Sequence, residues 1–396
     1  MLRTLLIAIL ASACVALCAA ARGAYLDEGD GTETRPPKHR IPRPPVRRPP
    51  PPVQRPVPPP RPLPPVPSNP LTQAVRRLSV AEPYTHKGLT IFPLEAPRVD
   101  DSTDYLSLEE ALDRDDLAMR EKGSGVVPVL LARNTGSRLI LMLSGEIVAG
   151  GRQNRVLRDD VLLGRHSGWV ELPVLCIERG RWHGRDEAFA KSSSLAAVGV
   201  RARVQAGVPQ SEVWDGVSYY QSTFSAPSAT EDLQAVQDSP EVQEAADEYV
   251  KAFHKRWPRQ TVGMVVARHG RIIAADIFCN AEVFQKHRDR ILRSYAVDCY
   301  AMSKHAPEEG PRRPAVMPGP RDAERFLERA LGAHYDWRGT PGEGELLNVS
   351  GAGLSGMGLV YRGALLHASL FAQDEVIILP HPAPGPWREE QRGGND

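Results

Sequence analysis

From Leu89 onward short apolar runs alternate with turn residues, and the character of the runs changes along the chain. Leu89 to Leu94, Val126 to Arg133, Arg138 to Leu143, Val161 to Leu163 and Trp169 to Glu178 have the length and apolar content of strands. Asn134-Thr135-Gly136-Ser137 is turn chemistry between two such runs and predicts a hairpin. A helix interrupts at Leu108 to Asp113, where Ser107 and Glu110 spell a capping box. From Leu195 to Lys255 the pattern turns helical, with Ser239 and Pro240 as N-cap and first residue of a helix through Phe253. Val262 to Arg268 and Arg271 to Phe278, joined by His269-Gly270, form a second hairpin. A long helix from Ala281 to Ser303 follows, then a proline-rich loop and a helix from Arg321 to Leu331. Glu345 to Val349, Met357 to Tyr361 and Ala364 to Phe371 read as closing strands. The pattern predicts an α+β fold, antiparallel strand hairpins packed with helices. It occupies residues 71–379 as one region or as two halves, about 84–190 and 191–379. The alternation is too irregular for a doubly wound sheet, and no internal repeat is present.

The N-terminus is of another kind. Arg3 precedes an uncharged stretch from Thr4 to Ala20, the head and apolar core of an export signal. About 16 apolar residues fall short of the ~20 that a membrane-spanning helix needs. Residues 1–20 therefore read as a cleaved signal peptide, with an uncleaved anchor as the alternative. A lipoprotein is the third reading, although the residues before Cys14 and Cys18 fit a lipobox poorly. The mature chain is then secreted or periplasmic, with no transmembrane helix. Residues 21–35 and the tail 380–396 have the composition of disordered segments.

Residues 36–70 hold 18 prolines and seven Lys or Arg with no acid. Proline fixes φ and removes the backbone donor, so this segment is expected to be a polyproline II arm of roughly 110 Å. It is a solvated linker, or a cationic strap onto an anionic cell-envelope polymer. With +1 overall, about −5 remains for residues 71–396. The tether is thus the only basic patch that composition reveals, and no specific nucleic-acid binding is expected. After signal removal Cys176, Cys279 and Cys299 remain. Cys279 and Cys299 flank the long helix, about 30 Å apart against a limit near 7 Å for a disulfide. A bridge between Cys176 and Cys279 is allowed, and three free thiols equally so.

The densest polar cluster between apolar strands is Gly145 to Arg155. Glu146 is the candidate general acid or base, with Gln153, Asn154 and Arg155 as donors to a carboxylate, phosphate or hydroxyl. The alternative is a tight crossover whose side chains cap backbone groups. Glu178 and Trp182, where a strand should end, and Trp214, in an aromatic-rich helix with Tyr219 and Tyr220, are further candidate substrate contacts. Cys176 reads as a structural thiol on an apolar strand, and His367 and Asp276 as satisfied core or edge residues. Gly351 to Gly356 spells G-x-G-x-x-G, but a strand follows it, so no helix N-terminus is there to hold a pyrophosphate. No metal site and no cofactor is expected, since no metal-ligand spacing, P-loop or paired CxxC occurs.

Several stretches together resemble a known family. They are Tyr84-Thr85-His86-Lys87-Gly88-Leu89, Gly145-Glu146, Gln153-Asn154-Arg155, Pro173-Val174, Cys176 through Trp182, Gln210-Ser211-Glu212-Val213-Trp214 and Leu292-Arg293-Ser294-Tyr295-Ala296. They resemble the ARG-and-rhodanese-phosphatase-superfamily-associated protein domain family over most of residues 84–303. The resemblance implies a loose link to nucleotide or phosphate chemistry. Two functions follow as expectations. One is an exported interaction module of unknown partner, placed by the tether. The other is a hydrolase of a phosphate-bearing or glycosidic, ADP-ribose-like substrate, with Glu146 as acid or base. Expressed with its leader in an exporting host, the chain should yield a mature N-terminus at Ala21 or Arg22. Intact-mass measurement checks this, and a retained leader would contradict it.

Overall fold

Two-residue turns organise the largest sheet. The pairs Lys87-Gly88, His269-Gly270, Ala352-Gly353 and Arg362-Gly363 all have positive φ at both positions, the geometry that matches the natural twist of paired strands. A computed structural model describes residues 68–97, 104–123, 128–181, 189, 193–226, 228–305 and 317–376, all within the compact unit Leu63–Asp396. The signal, the tether before residue 68, Trp182 and the C-terminal tail lie outside the described residues.

The fold is α+β. The large sheet runs, edge to edge, Ser79–Val80, Leu89–Glu95, Thr261–Arg268, Arg271–Phe278, Ala364–Ala372, Leu354–Tyr361, Glu345–Gly351 and His334–Gly339, with Tyr84–His86 also paired to Leu89–Glu95. Every pairing in it is antiparallel. Strand 334–339 is an addition to the sequence reading; its pattern of half-buried and exposed residues is that of a sheet edge. Both faces of the sheet are covered. Met264 and Val266 face one core with helices Val198–Gln205, Gln210–Thr223, Pro240–Phe253 and Ala281–Lys304. Val265 and Ala267 face the other core, against helix Pro320–Leu331. Period-two alternation therefore buries all eight residues of strand 261–268.

Two smaller sheets carry the candidate site. One orders Ser193–Leu195, Glu146–Val148, Arg155–Leu157, Val170–Cys176, Val129–Asn134 and Leu117–Glu121. The other orders Val161–Leu163, Leu139–Met142 and Tyr105–Ser107, the last two parallel. A third core, with Leu130, Ile140, Leu157 and Leu172, lies among these strands. The hairpin expected at residues 134–137 does not form: strand 129–134 and strand 139–142 enter different sheets. Asn134 redirects the chain by accepting from the Gly136 amide at 2.9 Å and donating to the Arg138 carbonyl at 2.7 Å. The Ser107–Glu110 capping box is present. Ser239 precedes Pro240 as expected, but its hydroxyl donates backward to the Val236 carbonyl instead of capping.

At Gly263 two paired strands approach closely. A Cβ there would stand 2.3 Å from the Asp276 carbonyl oxygen, whereas at Gly339 it would meet nothing within 4 Å. Gly263→Ala should destabilise the domain by about 1–3 kcal/mol or more, and Gly339→Ala by less than about 0.5 kcal/mol. Denaturant titration of both checks the packing; equal midpoints would refute it.

Candidate functional site

The turn Leu143 to Glu146 is the junction of the interior. Glu146 lies at 1% exposure. One of its oxygens accepts from the Leu143 amide at 2.9 Å, and the other pairs with Arg290 Nη1 at 2.8 Å. Burial raises its pKa, opposed by Arg290 and the Leu143 amide. Arg290 lies on helix 281–304, one turn from buried His287, whose Nδ1 is 3.0 Å from Arg290 Nη2. Arg290 therefore answers the charge on Glu146.

Gly145, at φ +90°, holds no side chain because Arg201 passes beside it; a Cβ would lie 2.4 Å from Arg201 Cγ. Arg201 donates to Asp276 at 2.8 Å, and Tyr295 donates to the other Asp276 oxygen at 2.6 Å. His367 Nδ1 meets Asp160 at 2.7 Å, and its Nε2 lies 3.4 Å from Asp276. Asp160 in turn accepts from the Ser144 amide at 2.8 Å. All of these side chains are at most 1% exposed. Two carboxylates and two cations balance, as buried charges require. Burial alone would deprotonate His367, but Asp160 and Asp276 outweigh it and raise its pKa to about 9. Burial likewise opposes the Asp276 carboxylate, and Arg201 and His367 prevail, holding its pKa below the usual carboxylate range. Nδ1 bonds Asp160 and Nε2 faces Asp276 without a hydrogen bond, so the ring is enclosed between two carboxylates and shut off from solvent.

The other candidates form a second cluster. Cys176 pairs with Arg155 across adjacent strands, which gathers Gln153, Asn154, Arg155 and Glu178. Asn154 donates through its amide to Glu178 and through Nδ2 to Asp232, both at 2.9 Å. Arg181 Nε donates to both Glu178 oxygens, at 2.8 and 2.9 Å. Arg155, fully buried, donates to the Gln153 carbonyl at 3.0 Å and its Oε1 at 3.2 Å. The Cys176 thiol contacts the same Oε1 at 3.1 Å, and burial raises its pKa. Cys176, Cys279 and Cys299 are all free thiols. Gln210 hydrogen-bonds both the amide and the carbonyl of Cys176, at 2.9 and 2.8 Å, so its helix docks on this strand. Trp214 stands apart, half-buried beneath the Arg179 guanidinium at 5.3 Å. Glu146 thus belongs to one cluster and Gln153, Asn154, Arg155 and Glu178 to another.

Sequence reasoning gave Asp160, Arg201 and Arg290 no role. No local signal marks them: Arg203 lies two positions from Arg201, Asp159 adjoins Asp160 and Asp289 adjoins Arg290, so each sits in an ordinary charged stretch. Among the described residues, no group of three or more His, Cys, Asp or Glu is placed to hold a metal ion.

Fold and interior together define an α+β protein built on a two-faced antiparallel sheet with an ionic core. The chain belongs to the family of the ARG and Rhodanese-Phosphatase-superfamily-associated Protein domain, which residues 77–371 match. No curated protein and no solved structure matches it.

The His367 clamp has a pH signature. Its folded pKa of about 9 exceeds the ordinary 6.5, so its stabilisation is complete below about pH 6.5 and is lost as pH rises through 9. His367→Gln should cost about 3–5 kcal/mol and flatten this alkaline decline. Denaturant midpoints from pH 6 to 10 test it; an unchanged slope in the variant would assign the decline elsewhere.

Proposed function

We propose that the chain is an exported binding module whose Pro/Arg-rich segment 36–70 holds an anionic cell-envelope polymer while the folded domain is the body it positions. One observation carries the choice of binding over catalysis. Glu146, Gln153, Asn154, Arg155 and Glu178 are all buried at 7% exposure or less and bonded to the protein itself. A general acid or base needs a substrate proton within reach, and the two carboxylates, Glu146 and Glu178, are committed to partners inside the fold. The contact role of the tether is supported by its seven cations without an acid, a charge density that draws polyanions by counterion release. Removal of the export signal would deliver the module to the periplasm or beyond the cell. Among the described residues no helix is long and apolar enough to cross a membrane.

Neutralising Lys38, Arg40, Arg43, Arg47, Arg48, Arg55 and Arg61 should lower retention on an anionic envelope fraction on the order of tenfold or more at low salt. Undiminished retention would sink the tether's role. Glu146→Gln should leave that retention intact. A hydrolase panel that includes ADP-ribose compounds provides the opposing test: turnover by the wild type, abolished in Glu146→Gln, would replace binding with hydrolysis of a phosphate-bearing or glycosidic substrate.

A further inference from the structure

The folded body carries a charge feature that its net composition hides. Between Glu248 and Asp276 the chain has six Lys or Arg and no acid. Two of the six are answered: Arg268 pairs with Asp298 and Arg271 with Glu375. The other four, Lys251, Lys255, Arg256 and Arg259, are exposed beside His254, at the end of helix 240–253 and in the loop that enters strand 261–268. Elsewhere on this side surface cations are neutralised, Lys87 by Glu248, Arg293 by Asp247 and Lys304 by Glu241. Two of those pairs engage Asp247 and Glu248, the acids one helical turn before Lys251.

Compensation of the helix end does not account for the cluster. A helix C-terminus presents about half a negative charge, which one cation in the last turn answers. Lys251 is that cation; the remaining three lie beyond the helix. They are also held in place. The Arg256 guanidinium lies 5.2 Å over the Tyr84 ring. Trp257 packs edge-on against Phe284 at 5.4 Å, with Arg288 over its ring at 5.6 Å. The loop is closed by Thr261, whose amide and hydroxyl both donate to the Pro258 carbonyl, at 3.2 and 2.7 Å. An open hollow is lined by Val250, Lys251, Ala252, His254, Lys255 and Arg256.

We propose that this basic knuckle is a binding site for a linear phosphate polymer, separate from the tether and independent of the tether's role. Guanidinium forks and ammonium points together match closely spaced phosphate oxygens. Trp257 is already engaged by Phe284 and Arg288, so the site lacks the free stacking platform that single-stranded nucleic-acid binders use. The exposed large apolar side chains, Trp169, Met317 and Trp337, lie elsewhere in the sequence, so the knuckle has no apolar anchor for a lipid surface. Recognition is by backbone charge.

The test uses the full chain with its seven tether cations neutralised, so that only the folded body contributes. This chain should bind long-chain inorganic polyphosphate at low salt. Lys251→Gln, Lys255→Gln and Arg259→Gln combined, with Arg256 kept because it packs on Tyr84, should weaken binding on the order of tenfold or more. The slope of log K against log salt should shrink by about 2, at roughly 0.7 per lost phosphate contact. Arg259→Glu alone provides the same reading if the triple variant fails to fold. Undiminished binding in the variants, or no polyphosphate binding by the tether-neutralised chain, would overturn the assignment and leave the tether proposal standing. Tighter binding to anionic-lipid vesicles or to a single-stranded oligonucleotide than to polyphosphate would overturn it as well.

Discussion

The interior depends on a neutral ionic quartet, Asp160, Asp276, His367 and Arg201, sealed from water. A buried charge left without its partner costs several kcal/mol, so each member is tolerated only while the others are in place. The four come from different places: the turn before strand 161–163, two neighbouring strands of the large sheet, and helix 198–205. Tyr295 adds the long helix through its hydrogen bond to Asp276. Apolar side chains in these positions would accept many relative placements of the elements. Paired charges accept few, so the quartet sets how the small sheets meet the large one.

The long helix 281–304 repeats the device. Arg290 serves Glu146, Tyr295 serves Asp276, and Asp298 serves Arg268 and the Tyr220 hydroxyl. Tyr220 accepts in turn from the Gly199 amide at 3.2 Å. Next to Asp298, burial pushes the Cys299 thiol up to about 12, so it remains a neutral, soft packing group beside Tyr249. Several of the stretches that carry the family likeness meet here: Gly145-Glu146 forms the junction turn, and Tyr295 of Leu292 to Ala296 reaches the quartet. Others build the second cluster, through Gln153 to Arg155, Glu178 and Gln210.

The fold was legible where local chemistry decides it. The capping box at Ser107, the His269-Gly270 turn and the periodicity of helix 281–304 are all properties of neighbouring residues, and they appear as expected. The hairpin at residues 134–137 failed because turn chemistry says that the chain changes direction, not which strand it then joins; Asn134 sends it to another sheet. Strand 334–339 was missed because an edge strand lacks the apolar alternation that marks its neighbours. The polar residues of the Gly145 to Arg155 segment stand out in the sequence as dense, but their partners are not visible there. Glu146 and Arg290 are separated by more than a hundred positions, and no spacing rule links them. The basic knuckle was hidden for the opposite reason: acids elsewhere in the domain cancel it in the sum, and only the placement of those acids in pairs exposes it.

Three stations on one helix, each joined to a different segment, also constrain how this sequence can vary. Loss of Arg290 strands Glu146, and a change at Asp298 strands Arg268. Neutral drift at such positions is blocked one residue at a time and opens only through paired changes on distant segments. Among descendants of this chain, the three couplings should therefore persist or disappear as units.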